Sequence, residues 1–132
     1  VRRTLALAVI LLTAAAGRSD SPNVDAIQGW IRDLDSSSFR TRETAAKQLK
    51  QAGADAAPAL AKAAKTGSAE VSDRALRLLG EMAEGNDSKA EAAARRQLRR
   101  LADSESRVAA DARLILNRRR NAALAALLFA GV

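Results

Sequence analysis

The side chains available for chemistry in this 132-residue chain are carboxylates, lysines, arginines and hydroxyls, because cysteine, histidine and tyrosine are all absent. A disulfide, a Cys/His zinc site, a cysteine nucleophile and an imidazole base are thereby excluded. Asp33 and Asp35 are close enough in sequence to be weighed as an acid/base pair. No pocket signal accompanies them, and they read instead as turn and cap residues. Ser36-Ser37-Ser38 has no base to activate a hydroxyl, so a nucleophilic role has no support. No glycine-rich phosphate loop and no metal-ligand cluster occurs. The chain reads as a non-enzyme without metal or cofactor.

Arginine is the residue type with the clearest pattern. Arg95/Arg99 and Arg96/Arg100 are i,i+4 pairs on one helix flank, opposite Leu98 and Leu101. With Arg118, Arg119 and Arg120 they form a candidate ridge for an anionic partner. The charge is lopsided: residues 17–85 hold ten basic and ten acidic side chains, whereas 86–132 hold ten basic and five acidic. Glu91 can pair with Arg95, and Asp103 with Arg99 or Arg100. The rest of the ridge is under-neutralised locally. The bland reading is a solvated outer face. Aromatics make up only 2% of the chain, too few for base stacking, which argues against nucleic acid. An acidic protein face or an anionic polymer fits better. Trp30 lies beside an Ile/Leu stripe and reads as core rather than as a binding hot spot.

The elements that must position these groups follow from a spacing that occurs three times. Thr41, Ala45 and Leu49 are four apart, as are Val71, Ala75 and Leu79, and Val108, Ala112 and Leu116. A helix-compatible unit recurring every 30 to 37 residues predicts an all-α chain, a short α-solenoid of three stacked helical hairpins. An alanine-rich, aromatic-poor composition suits closely packed helices and suits a sheet badly.

The first 16 residues stand apart. Arg2-Arg3 precedes an apolar run from Leu5 to Leu12, and Ala14-Ala15-Ala16 offers a small-residue cleavage site before Gly17. That order predicts a secretory signal peptide over 1–16. The run is too short to span a bilayer, which needs about 20 residues. A polar linker, 17–23, follows. Helix 1 then places Val24, Ile27, Ile31 and Leu34 on one stripe, and Asp35 to Ser38 break it and cap helix 2, about 39–52. Gly53 is a natural helix terminator. Asp55 is expected to cap helix 3, with Pro58 in its first turn and Gly67 at its end. Ser68 opens helix 4, where Gly80 predicts a close helix contact. Ser88 with Glu91 reads as a capping box for helix 5. Asp103 or Ser104 is expected to start helix 6. The tail, 120–132, is apolar: either helix 6 continues through it or Asn121 caps a short seventh helix, and the tail either folds onto the last hairpin as a cap or is an exposed patch that docks on a partner or membrane surface. The hairpins are 24–53, 54–85 and 87–119, together the domain 24–119.

The stretch from Asp33 to Leu49, with its Asp/Ser turn, Arg40, Arg42 and the Ala45/Leu49 positions, followed by Gly53 and Ala57-Pro58-Ala59-Leu60, resembles bacterial HEAT repeats. These include the HEAT-like units named after phycobilisome lyases. Val71-x-x-Arg74-Ala75 and Val108 to Ala112 repeat the helix part more loosely, and the usual arginine is displaced in the third unit. The resemblance covers roughly 24–119. It implies an α-solenoid with a protein-binding role and no lyase activity. The expectation is therefore an exported adaptor, binding protein partners in the periplasm or envelope of a bacterium, with no membrane span after signal cleavage. The alternative is a binder of anionic polymer or acidic surfaces through the arginine ridge.

Overall fold

The computed structural model describes residues 23–131, apart from the side chain of Arg119. The expected signal segment and all of the linker except Asn23 lie outside the described residues. Among the described residues there are six α-helices: α1 Val24–Asp33, α2 Phe39–Ala52, α3 Ala57–Thr66, α4 Ala69–Ala83, α5 Ser88–Ala102 and α6 Ala109–Ala130. A 3₁₀ turn, Gly53–Asp55, separates α2 from α3. No strand occurs among the described residues.

Short polar side chains set most of the helix starts, by accepting N–H groups that have no intrahelical partner. Asn23 accepts from the amide of Asp25 (3.2 Å), Ser38 from Thr41 (3.4 Å) and Ser68 from Val71 (3.3 Å). Three expected starts are corrected. Asp87, not Ser88, caps α5: its carboxylate lies one residue earlier and accepts from Lys89 (2.9 Å) and Ala90 (3.2 Å). A charged acceptor is the stronger partner, and Ser88 becomes the first helical residue. Asp55 does not cap α3. It is absorbed in the 3₁₀ turn, and α3 starts from Ala56 with no side-chain cap. Asp103 and Ser104 close α5 rather than open α6. The Asp103 amide donates to Arg99 O (2.9 Å) and the Ser104 hydroxyl to Leu101 O (2.6 Å). The start of α6 at Ala109 has no side-chain cap.

At the other end, α6 runs unbroken to Ala130, and Asn121 lies inside it. The alternative of a seventh helix folded back on the last hairpin is corrected: residues 121–131 are exposed throughout. Nothing in the segment signals a stop, since Ala and Leu are among the best helix formers.

The recurring stripe is the core. Ala45 and Leu49, Val71, Ala75 and Leu79, and Val108 and Ala112 are buried, while Leu116 is half-buried against them. Leu34, Leu49, Leu60, Leu79 and Leu98 are the largest side chains fully removed from solvent. Burying each contributes on the order of 1.5–3 kcal/mol. Alanines fill the spaces between them and allow close helix approach. The expected contact at Gly80 is present: a Cβ placed there would come within 3.2 Å of Ile115 Cγ2 on α6.

Each odd-numbered helix packs on the even-numbered helix that follows it. The odd helices also touch in the order α1, α3, α5, and the even helices in the order α2, α4, α6. Two arginines bond to helix ends distant in sequence. Arg74 donates to the carbonyl of Leu34 (2.7 Å), at the end of α1. Arg107 donates to the carbonyl of Gly67, at the end of α3, and to the Ser72 hydroxyl (2.8 Å). Each donor lies 40 residues after its carbonyl. Both satisfy carbonyls that a helix end leaves without a partner.

Candidate binding face

Because α2, α4 and α6 touch in sequence, shallow clefts lie between successive even helices. The first, between α2 and α4, has a volume of about 360 Å³. Phe39 forms part of its wall although it is 69% exposed. The Arg42 guanidinium lies 5.8 Å from the Phe39 ring centroid, within cation–π range. The same guanidinium donates to the carbonyls of Ser36 (2.7 Å) and Ser37 (3.0 Å), which fixes it. Lys50 and Glu81 pair across the cleft at 2.9 Å, and both are exposed, so the pair adds little stability. Four basic side chains line this cleft (Arg42, Lys50, Arg74, Arg77) against two acidic ones (Glu43, Glu81).

The second cleft, between α4 and α6, has a volume of about 430 Å³ and the opposite balance. Asp73, Glu81, Glu84 and Asp111 line it with Arg77 and Arg118. Buried Leu76, Gly80 and half-buried Ile115 add apolar lining, and Leu114, 69% exposed, is an apolar wall. Arg77 and Glu81, one turn apart on α4, line both clefts. The result is one continuous face. It is basic toward α2 and acidic toward α6, with an exposed apolar residue in each half. Apolar anchors beside charges of both signs suit recognition of a polypeptide.

The expected arginine ridge divides. Arg95 is half-buried, pairs with Glu91 at 3.0 Å and donates to Ala83 O at 3.4 Å, so it ties α5 to the end of α4. Arg95, Arg96 and Arg99 line one shallow cleft with Glu91. Arg120 meets Arg95 in another, between α5 and α6. Arg118 instead lines the acidic cleft beside α4. Helical geometry is the cause: residues two apart point about 200° apart, so Arg118 and Arg120 cannot share a ridge. The Arg119 side chain lies outside the described ones. Arg96, Arg99 and Arg100 are exposed and have no ion-pair partner among the described residues. The expected pairing of Asp103 with Arg99 or Arg100 is not formed.

Asp33 is exposed at the end of α1, and Asp35 accepts a bond from the Ser68 hydroxyl at 3.5 Å. Asp33 is thus the last helical residue of α1, and Asp35 lies in the turn that follows. Trp30 is half-buried against the core. Sequence reasoning missed Phe39 and Leu114. Each is a large apolar residue off the buried stripe of its helix, and that was the signal available. The chain matches no family model, no curated protein and no solved structure.

Proposed function

We propose that this chain is a short α-solenoid of three stacked hairpins that acts as a protein-binding adaptor, with the face of α2, α4 and α6 as its contact surface. The observation that carries this reading is the continuous two-sign face, shared along Arg77 and Glu81 and walled by exposed Phe39 and Leu114. The stacked-hairpin reading is supported by the separate ordering of odd and even helices. It is also supported by the two arginine bonds, which join successive units over the same 40-residue separation. Arg107 makes in the third unit the kind of bond that Arg74 makes in the second. Export to a bacterial envelope rests on the Arg2-Arg3, apolar run and Ala-x-Ala order.

The test is affinity capture from an envelope fraction with the wild-type chain and with Phe39→Ala/Leu114→Ala. Both side chains are exposed, so folding is spared. A captured protein should be lost with the double variant. A protein retained equally by both would overturn the face assignment.

The second reading, an anionic-polymer binder, is favoured by the exposure of Arg96, Arg99 and Arg100 without ion-pair partners. Its mark is affinity for a polyanion that falls steeply with salt and with Arg96→Gln/Arg100→Gln.

A further inference from the structure

The last two and a half turns of α6 contribute nothing to the core. From Ala122 to Ala130 the helix carries only Ala, Leu and Phe, and every residue is exposed, Phe129 by 83%. A helix that packs on a protein partner shows one apolar stripe and an opposite polar face. Here Leu124, Leu127 and Leu128 fall on one side, Phe129 on the other, and alanines between, so no polar face exists. One residue, Asn121, separates this segment from Arg118, Arg119 and Arg120. Residues two apart in a helix point about 200° apart, so Arg118 and Arg120 lie on opposite sides of the helix, and the run of three arginines makes a collar in sequence rather than a stripe along one face.

We propose that this extension of α6 docks on an anionic lipid surface, the apolar turns entering the acyl region and the arginine collar resting among the acidic headgroups. All-round apolarity suits hydrocarbon, and a positive collar at its mouth suits acidic phospholipid. No described helix is long and apolar enough to cross a membrane. A second copy of the chain is a poorer occupant. Parallel pairing would bring two arginine collars together, and antiparallel pairing would set each collar against apolar turns.

The test uses the full chain with vesicles of phosphatidylcholine alone, or with phosphatidylglycerol added. The wild type should sediment with the anionic vesicles and much less with the neutral ones. A basic residue near an anionic surface contributes on the order of fivefold, so replacing all three collar arginines with Gln should weaken binding about a hundredfold. Leu127→Ser/Leu128→Ser/Phe129→Ser should abolish binding while leaving helicity and the α2–α4–α6 face intact, which separates this proposal from the adaptor reading. The chain has no cysteine, so Leu128→Cys accepts one environment-sensitive fluorophore, whose emission should shift to the blue on anionic vesicles only. Vesicle binding unchanged by the triple Ser variant would overturn the proposal, as would binding lost only with the arginines. So would a label already shielded without lipid in a concentration-dependent dimer, which would identify a second copy as the occupant.

Discussion

Arg74 donates to the carbonyl oxygen of Leu34 at 2.7 Å, joining α4 to the end of α1. The donor is charged and half-buried, and the carbonyl has no helical successor to bond. Arg107 makes the matching bond to Gly67, at the end of α3. Charge-assisted bonds of this kind contribute about 1.5–3 kcal/mol. Arg74→Ala should lower unfolding free energy by about that amount, measured by urea denaturation. Arg74→Lys should recover only part of it, because a single ammonium replaces the planar fork. A loss below about 0.5 kcal/mol, the range of an ordinary surface change, would show that the bond is incidental.

Leu49 and Leu79 end two copies of the recurring stripe and are fully buried. Leu→Ala at either site should cost roughly 2–5 kcal/mol through lost transfer energy and a residual cavity. Thermal or urea unfolding of the single variants checks this. Losses below about 0.5 kcal/mol at both would contradict the burial of that stripe.

Gly53 has φ +57° and ψ −126°, a conformation in which a Cβ is strained. The space beside it is ordinary: an added Cβ would lie 3.5 Å from both Ala90 Cβ and Asp87 Oδ2. The cost of Gly53→Ala is therefore backbone strain, about 1–3 kcal/mol. Equal or greater stability in the variant would mean that the turn between α2 and α3 relaxes freely.

Arg96 and Arg100 are exposed and have no ion-pair partner among the described residues. Arg96→Gln/Arg100→Gln should leave unfolding free energy within about 0.5 kcal/mol of the wild type while weakening adhesion to polyanions. A clearly lowered unfolding midpoint would show that these residues hold the fold.

Much of the fold was legible because helices advertise their buried face through a period of about 3.6 residues. The Ala45/Leu49 and Val71/Ala75/Leu79 stripes, the Ser38 and Ser68 caps, the Gly53 turn and the Gly80 contact all follow from residue type and spacing. The starts of α3, α5 and α6 did not. Asp87 and Ser88 are both good caps, and the charged acceptor one residue earlier takes the role. Ser104 can cap forward or bond backward, and it bonds backward to Leu101. The bonds of Arg74 and Arg107 span 40 residues and leave no local mark. The arginine ridge was a single-helix argument extended to a second helix, and the 200° between Arg118 and Arg120 undoes that extension. Phe39 and Leu114 were visible only as apolar residues away from their stripes, and single exposed apolar residues are common on any surface.

The adaptor reading is tested most directly by photocrosslinking from the proposed face. A photoreactive residue at Arg77, which lines both clefts, is compared with one at Lys65, exposed on α3. Irradiation in the presence of an envelope fraction should give a discrete protein adduct from position 77 and none from position 65. The adduct should disappear when Phe39→Ala/Leu114→Ala is introduced. Adducts of equal yield from both positions, or none from position 77, would contradict the assignment of the α2–α4–α6 face as a protein-binding surface.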